Sequence, residues 1–128
     1  MNFLAHLRLA GDDEGLMLGA LAGDFVKGRR ALEVCEPDLR RGILLHRFVD
    51  SSVDALPPAA ALRRRFAPPF RRYAGLIPDL AFDHLLACRW DEYSEQSLEA
   101  FDQCVRELLS RRRSEVPDSL VSFMDYAR

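Results

Sequence analysis

Gly15, Gly19 and Gly23 recur every fourth residue inside a segment, roughly residues 13 to 27, that Leu16, Leu21 and Phe25 otherwise pattern as a helix. Positions four apart lie on one face of a helix, so the three glycines form a strip bare of side chains. Such a strip lets a second helix approach closely. No run nears the roughly 18 apolar residues of a membrane span. The strip therefore predicts tight packing between helices of a soluble protein, not a membrane dimer face. Gly28 is read as the stop of this helix, with a loop over residues 29–36.

Helical spacing continues on both sides. Asn2 caps a short helix to about Leu9, with Phe3, Leu4 and Leu7 on one face. Pro37 opens a helix to about Val53, its apolar side carrying Leu39, Ile43, Leu44 and Phe48. A short helix lies between Pro57-Pro58 and Pro68-Pro69, and another covers about Pro78 to Cys88. Ser94, followed by Ser97 and Glu99, starts a helix through about Arg112, striped by Leu98, Phe101, Val105, Leu108 and Leu109. Pro117-Asp118-Ser119 opens a last one with Leu120, Phe123 and Met124. No period-two alternation and no Asn-Gly or Asp-Gly hairpin signal is present. The expectation is an all-α fold, a single domain over residues 1–128 built as a bundle of about six helices.

Hydrophobic residues at 48% and charged residues at 30% fit a globular chain rather than a disordered one. Formal net charge is −2, which argues against a generic polyanion binder. Cys35, Cys88 and Cys104 form no Cys-x-x-Cys pair, and the N-terminus has no basic region followed by an apolar run. A reduced, cytoplasmic location is expected.

The chemistry concentrates on two helices. His46 and Asp50 stand four apart on one face, and Asp54 extends their line. Asp79 and Asp83 repeat the spacing, with His84 next to Asp83. Ile43, Leu44, Leu80, Phe82, Leu85 and Leu86 flank these residues, which sets them beside a core, where unpaired charge is costly. Taken singly, each also fits a structural role, such as a surface His–Asp pair or a local cap. Taken as five residues on two helices, they point to a divalent cation with mixed imidazole and carboxylate ligands: Mn, Fe, Zn or Mg. Asp24, a charge on the glycine-rich face, and His6, among Phe3, Leu4, Leu7 and Leu9, are candidates to join them.

Only Lys27 is a lysine among 18 basic residues; the rest are arginines, whose planar fork suits carboxylate and phosphate. Between Ala55 and Pro78 lie Arg63, Arg64, Arg65, Arg71 and Arg72 with no acidic residue. Such a run is either a solvated face or a dock for an anionic partner near the cation site. Sparse aromatic interleaving argues against nucleic-acid stacking. A Gly-x-Ser-x-Gly elbow and a P-loop are both absent.

The segments Met1-Asn2-Phe3-Leu4-Ala5-His6-Leu7, Gly23-Asp24-Phe25-Val26-Lys27-Gly28, Gly42-Ile43 with His46-Arg47 and Asp50, and Asp79 with Asp83-His84 resemble, in order, the acyl carrier protein phosphodiesterases. The resemblance covers roughly residues 1 to 105. It implies an HD-phosphodiesterase-like helical fold and a hydrolase that removes 4′-phosphopantetheine from holo-acyl carrier protein with a divalent cation, Mn or Mg. It further implies His46, Asp50, Asp83, His84 and Asp24 as metal or neighbouring residues, with Asp79 as a companion and His6 in proton transfer. Lys27 or Arg47 would hold the phosphate, and the arginine-rich segment would grip the acidic carrier protein. Members of that family continue well beyond Arg128. A missing helical segment would leave an apolar face uncovered and invite a homodimer. Two other readings share these residues: an HD-type small-molecule phosphatase or nucleotidase, and a non-catalytic helical module that binds an acidic protein. Neither a nucleic-acid partner nor a membrane is expected.

Overall fold

A computed structural model describes residues 3–127. Asn2, expected as the first cap, lies outside them. Among the described residues there are eight α-helices and no strand: α1 (Phe3–Ala10), α2 (Glu14–Ala22), α3 (Gly28–Glu33), α4 (Pro37–Asp54), α5 (Pro57–Arg64), α6 (Leu76–Cys88), α7 (Leu98–Arg111) and α8 (Asp118–Tyr126). No helix among them is long and apolar enough to cross a membrane.

Local chemistry sets several boundaries. The Asp13 carboxylate accepts from the Leu16 amide at 2.9 Å and starts α2, and the Ser97 hydroxyl does the same for Ala100 at 3.1 Å in α7. Pro37 occupies the first turn of α4, where its missing N–H costs nothing. The stretch expected as a loop after Gly28 is instead α3. Gly28, at φ +76°, opens that helix rather than closing α2, which ends at Ala22. What holds so short a helix comes from α4: Arg40 donates to the carbonyls of Leu32, Glu33 and Cys35 at 3.2, 2.6 and 3.1 Å, satisfying the exposed end.

The core gathers Leu18 and Leu21 of α2, Leu39 and Ile43 of α4, Leu108 and Leu109 of α7, and Leu120 of α8. Its centre is the α2–α4 contact. A methyl group added to Gly19 would overlap the backbone of Gly42, and one added to Gly42 would overlap the Gly15 carbonyl. This contact rotates α4 so that Leu39, Gly42, Ile43 and His46 face inward. Leu44 and Phe48, expected on the apolar side, face outward, Phe48 with 68% of its surface exposed.

α6 departs further from expectation. Pro78 is its one fully buried residue among those described, while Leu80 and Leu85 are 58% and 54% exposed. Two of its neighbours in the fold explain how it is held. The Asp83 carboxylate accepts from the amides of Leu4 and Ala5 at 3.1 and 3.3 Å, tying α6 to the first turn of α1. The other end passes to Trp90, which packs on Phe101 of α7 with ring centroids 4.8 Å apart.

Candidate metal-binding site

The glycine strip ends where the site begins. Gly23 has no side chain because the imidazole of His46 occupies that space, and a methyl group there would overlap the ring. His46 Nδ1 lies 3.0 Å from the carbonyl oxygen of Ala20. A carbonyl only accepts, so Nδ1 carries a hydrogen, and in its neutral form the ring presents a lone pair on Nε2. That Nε2 is buried with no hydrogen-bond partner among the described residues. It sits 3.3 Å from Asp50 and 3.7 Å from Asp24, within ion-pair range of two carboxylates yet well bonded to neither.

His6 arrives from α1 and stacks on His46, with ring centroids 3.8 Å apart and planes 8° from parallel. Its Nε2 lies 2.9 Å from the other carboxylate oxygen of Asp50. One donor atom each from His6, His46 and Asp50 therefore falls within 4.8 Å of the others. Two imidazoles and a carboxylate, with Asp24 alongside, are the donors that borderline divalent cations take. The orphaned Nε2 is the strongest sign of fit, because a buried lone pair between two acids lacks the positive partner that its surroundings call for.

The stacked pair is divided electrostatically. For His6, burial is the largest influence, reinforced by His46, and together they hold its pKa below 6.5 despite Asp50. For His46, burial also opposes the charge, but Asp24, Asp50 and the Ala20 carbonyl outweigh it and raise the pKa above 6.5. His46 in turn holds the Asp24 carboxyl below its ordinary value against the effect of burial.

A cavity of about 280 Å³ opens beside this set. His6, Asp24, Asp50, Asp54, Asp79 and Arg63 supply its polar lining, and Leu9, Val53, Pro78 and Phe82 are among its apolar walls. The structure thus brings His6, Asp24, His46 and Asp50 together, with Asp79 a further lining residue of the cavity. Asp83 and His84 stand apart. Asp83 spends its oxygens on α1, and burial raises its pKa even though the Leu4 and Ala5 amides lower it. His84 is exposed, with Nε2 3.6 Å from Cys88 Sγ.

Arg47 donates to the carbonyls of Val26 and Gly28 at 2.9 and 3.2 Å, knitting α4 to the turn before α3. Lys27 is exposed, its amine 4.0 Å from Asp24. Arg64, Arg65, Arg71 and Arg72 are exposed, Arg72 over the Tyr73 ring at 4.8 Å. Arg63 differs from them in lining the cavity, which the charge run did not reveal. The spacing of Asp50 and Asp54 was its available signal.

The family model described as acyl carrier protein phosphodiesterase matches residues 1–128. The chain belongs to the acyl carrier protein phosphodiesterase family. Curated relatives bearing that name include one from Serratia proteamaculans, 42% identical over 104 residues, covering 80% of this chain and 53% of the relative. One from Yersinia pestis is 41% identical over 92 residues, covering 72% and 47%, and one from Salmonella paratyphi A is 35% identical over 127 residues, covering 98% and 65%. The chain thus spans from about half to 65% of the length of these relatives. No solved structure matches it.

Proposed function

We propose that this chain carries the catalytic centre of a divalent-cation-dependent phosphodiesterase that removes 4′-phosphopantetheine from holo-acyl carrier protein. The observation that carries this reading is the buried Nε2 of His46, without a hydrogen-bond partner among the described residues and set between Asp50 and Asp24, two carboxylates that line the cavity, in a chain of this family. His46, Asp50 and Asp24 are the residues to hold Mn or Mg, and His6, stacked on His46, is kept for proton transfer. When bound, the ion would supply Lewis-acid neutralisation of phosphoryl charge.

The remaining chemistry belongs to side chains. A water oxygen bonds to phosphorus and the bond from phosphorus to the carrier serine oxygen breaks. The phosphate leaves on pantetheine, and the serine oxygen needs a proton. His6, whose lowered pKa keeps it largely neutral near pH 7, can take the water's proton and return it to the serine oxygen. Asp79, which also lines the cavity, is a second group able to orient the water. Asp83 acts at one remove, anchoring the turn of α1 from which His6 projects.

The exposed Arg64, Arg65, Arg71 and Arg72 provide a basic rim for an acidic, helical carrier protein, an attraction that salt weakens. The deciding experiment incubates holo-acyl carrier protein with this chain and Mn and follows the carrier by mass. Loss of the phosphopantetheine mass, abolished by EDTA, is expected. No loss with Mn or Mg rejects the reading, and turnover confined to free phosphate monoesters selects a small-molecule phosphatase instead.

A further inference from the structure

The polar lining of the cavity is lopsided. Asp24, Asp50, Asp54 and Asp79 face it, and Arg63 is its one arginine or lysine among the described residues. A phosphodiester is an anion, and four carboxylates oppose its entry. A divalent cation held by His46 and Asp50 would answer part of that charge. Arg63 is the lining's own positive charge, able to answer more of it.

Chain geometry brings Arg63 there. Asp54 follows Asp50 by four residues on the same face of α4, about 6 Å along the axis. α4 ends at Asp54 and α5 begins at Pro57, so the chain turns back within a few residues. Arg63 returns from the far end of α5 to meet the Asp54 carboxylate at 2.6 Å. One terminal nitrogen makes that bond, and no other partner for the guanidinium is found among the described residues. The side chains are 37% and 65% exposed, so the pair is a weak one that a better acceptor can replace. A phosphoryl group with two free oxygens is such an acceptor, matched to the planar fork.

We infer that Arg63 is a substrate-binding residue for the phosphodiester itself, parked on Asp54 in the free protein and transferred to a phosphoryl oxygen when substrate enters. This role rests on the phosphodiesterase reading, and it separates Arg63 from Arg64, Arg65, Arg71 and Arg72, whose proposed contact is the carrier surface.

The test measures two quantities for the full chain with Mn: kcat/KM on holo-acyl carrier protein, and affinity for apo-acyl carrier protein, which lacks the phosphodiester. Arg63→Ala is expected to lower kcat/KM about 100-fold, in the range for losing one donor to a reacting oxyanion, with apo affinity unchanged within twofold. Arg63→Lys should recover part of the rate, showing that charge matters and that the fork matters further. Arg71→Ala should weaken holo and apo carrier alike. A parallel loss of apo affinity in Arg63→Ala makes it a docking residue and overturns the proposal, as does an unchanged kcat/KM. A fold control by thermal melt accompanies each variant, and an Arg63→Lys rate at the Arg63→Ala level with a lowered melt also overturns it, as a structural effect. Wild-type protein inert toward holo carrier rejects the underlying reading, and this role falls with it.

Discussion

Where α2 meets α4, glycine backbones touch and buried Ile43 and Leu18 fill the contact; across the cavity, α6 buries Pro78 and leaves Leu80 and Leu85 in solvent. Both walls supply carboxylates to the same space. The first holds its groups by packing that admits no alternative, so His46 is fixed in position and tautomer before any ligand arrives. The second is held by Asp83 on two amides of α1 and by its continuation to Trp90. A site can thus be rigid on one side and lightly held on the other, with His46 on the rigid side and His6 on the α1 turn that Asp83 of α6 anchors.

The largest expected effect tests that contrast directly. Gly19→Val forces a branched side chain into the Gly42 backbone and should destabilise the protein by about 3 kcal/mol or more. Leu80→Ala on exposed α6 should cost within about 0.5 kcal/mol. Denaturant melts of both variants measure the gap, and comparable losses would show that α6 is as tightly held as α2.

Next in size is the division between histidines. His46→Ala should weaken Mn affinity at least about 100-fold, beyond the usual loss on removing a supporting partner of a ligand. His84→Ala should leave it unchanged. Titration of each purified variant with Mn gives the answer, and a large loss in His84→Ala would restore the five-residue cluster read from spacing.

The smallest effect is electrostatic and lies on the rigid side. Arg112 bonds Glu115 at 2.6 Å and Asp38 at 3.1 Å, while Arg41 bonds Asp13 at 2.9 Å and Asp38 at 2.8 Å. Hydrogen bonds from Arg41 lower the pKa of Asp13 and, with Arg112, that of Asp38; Arg112 lowers that of Glu115. Each folded pKa lies below its ordinary value of 3.8 or 4.5. The unfolded chain therefore takes up these protons first on acidification. Their stabilisation is complete above about pH 5 and is lost as pH falls through the lowered values. These groups are partly exposed to solvent, so the contribution is modest. Melting temperature should drop less steeply below pH 4 in Arg112→Met than in the unmodified chain, and parallel curves would assign acid sensitivity elsewhere.

Much of the helical framework was legible in the sequence. The stripe of α7 and the Pro37 start are local signals, although α7 is capped by Ser97 and not opened at Ser94, and the four-residue glycine period announced a close partner helix. α3 was not legible, because its end is satisfied by Arg40 from another helix. The exposure of Leu44 and Phe48 was hidden for a related reason: Gly42 decides which way α4 faces, and a residue without a side chain carries no weight in an apolar count. At the site, the spacing of His46 and Asp50 follows from one turn of helix, so it could be read directly. The stack of His6 on His46 and its contact with Asp50 join positions 44 residues apart for the latter pair, which only the fold supplies. Asp83 and His84 share the same i, i+4 and neighbour pattern, yet α6 turns them to α1 and to solvent.

The ring of His46 rests where the side chain of residue 23 would be. For anyone diversifying this protein, the two positions are therefore one design variable. A library that randomises residue 23 while keeping histidine at 46 samples displaced rings rather than new chemistry. One that varies residue 46 alone leaves a bare patch of α2 exposed to whatever replaces it. Productive double replacements should trade volume across the pair, larger at 23 with smaller at 46, and the buried imidazole between Asp24 and Asp50 is what such a trade gives up.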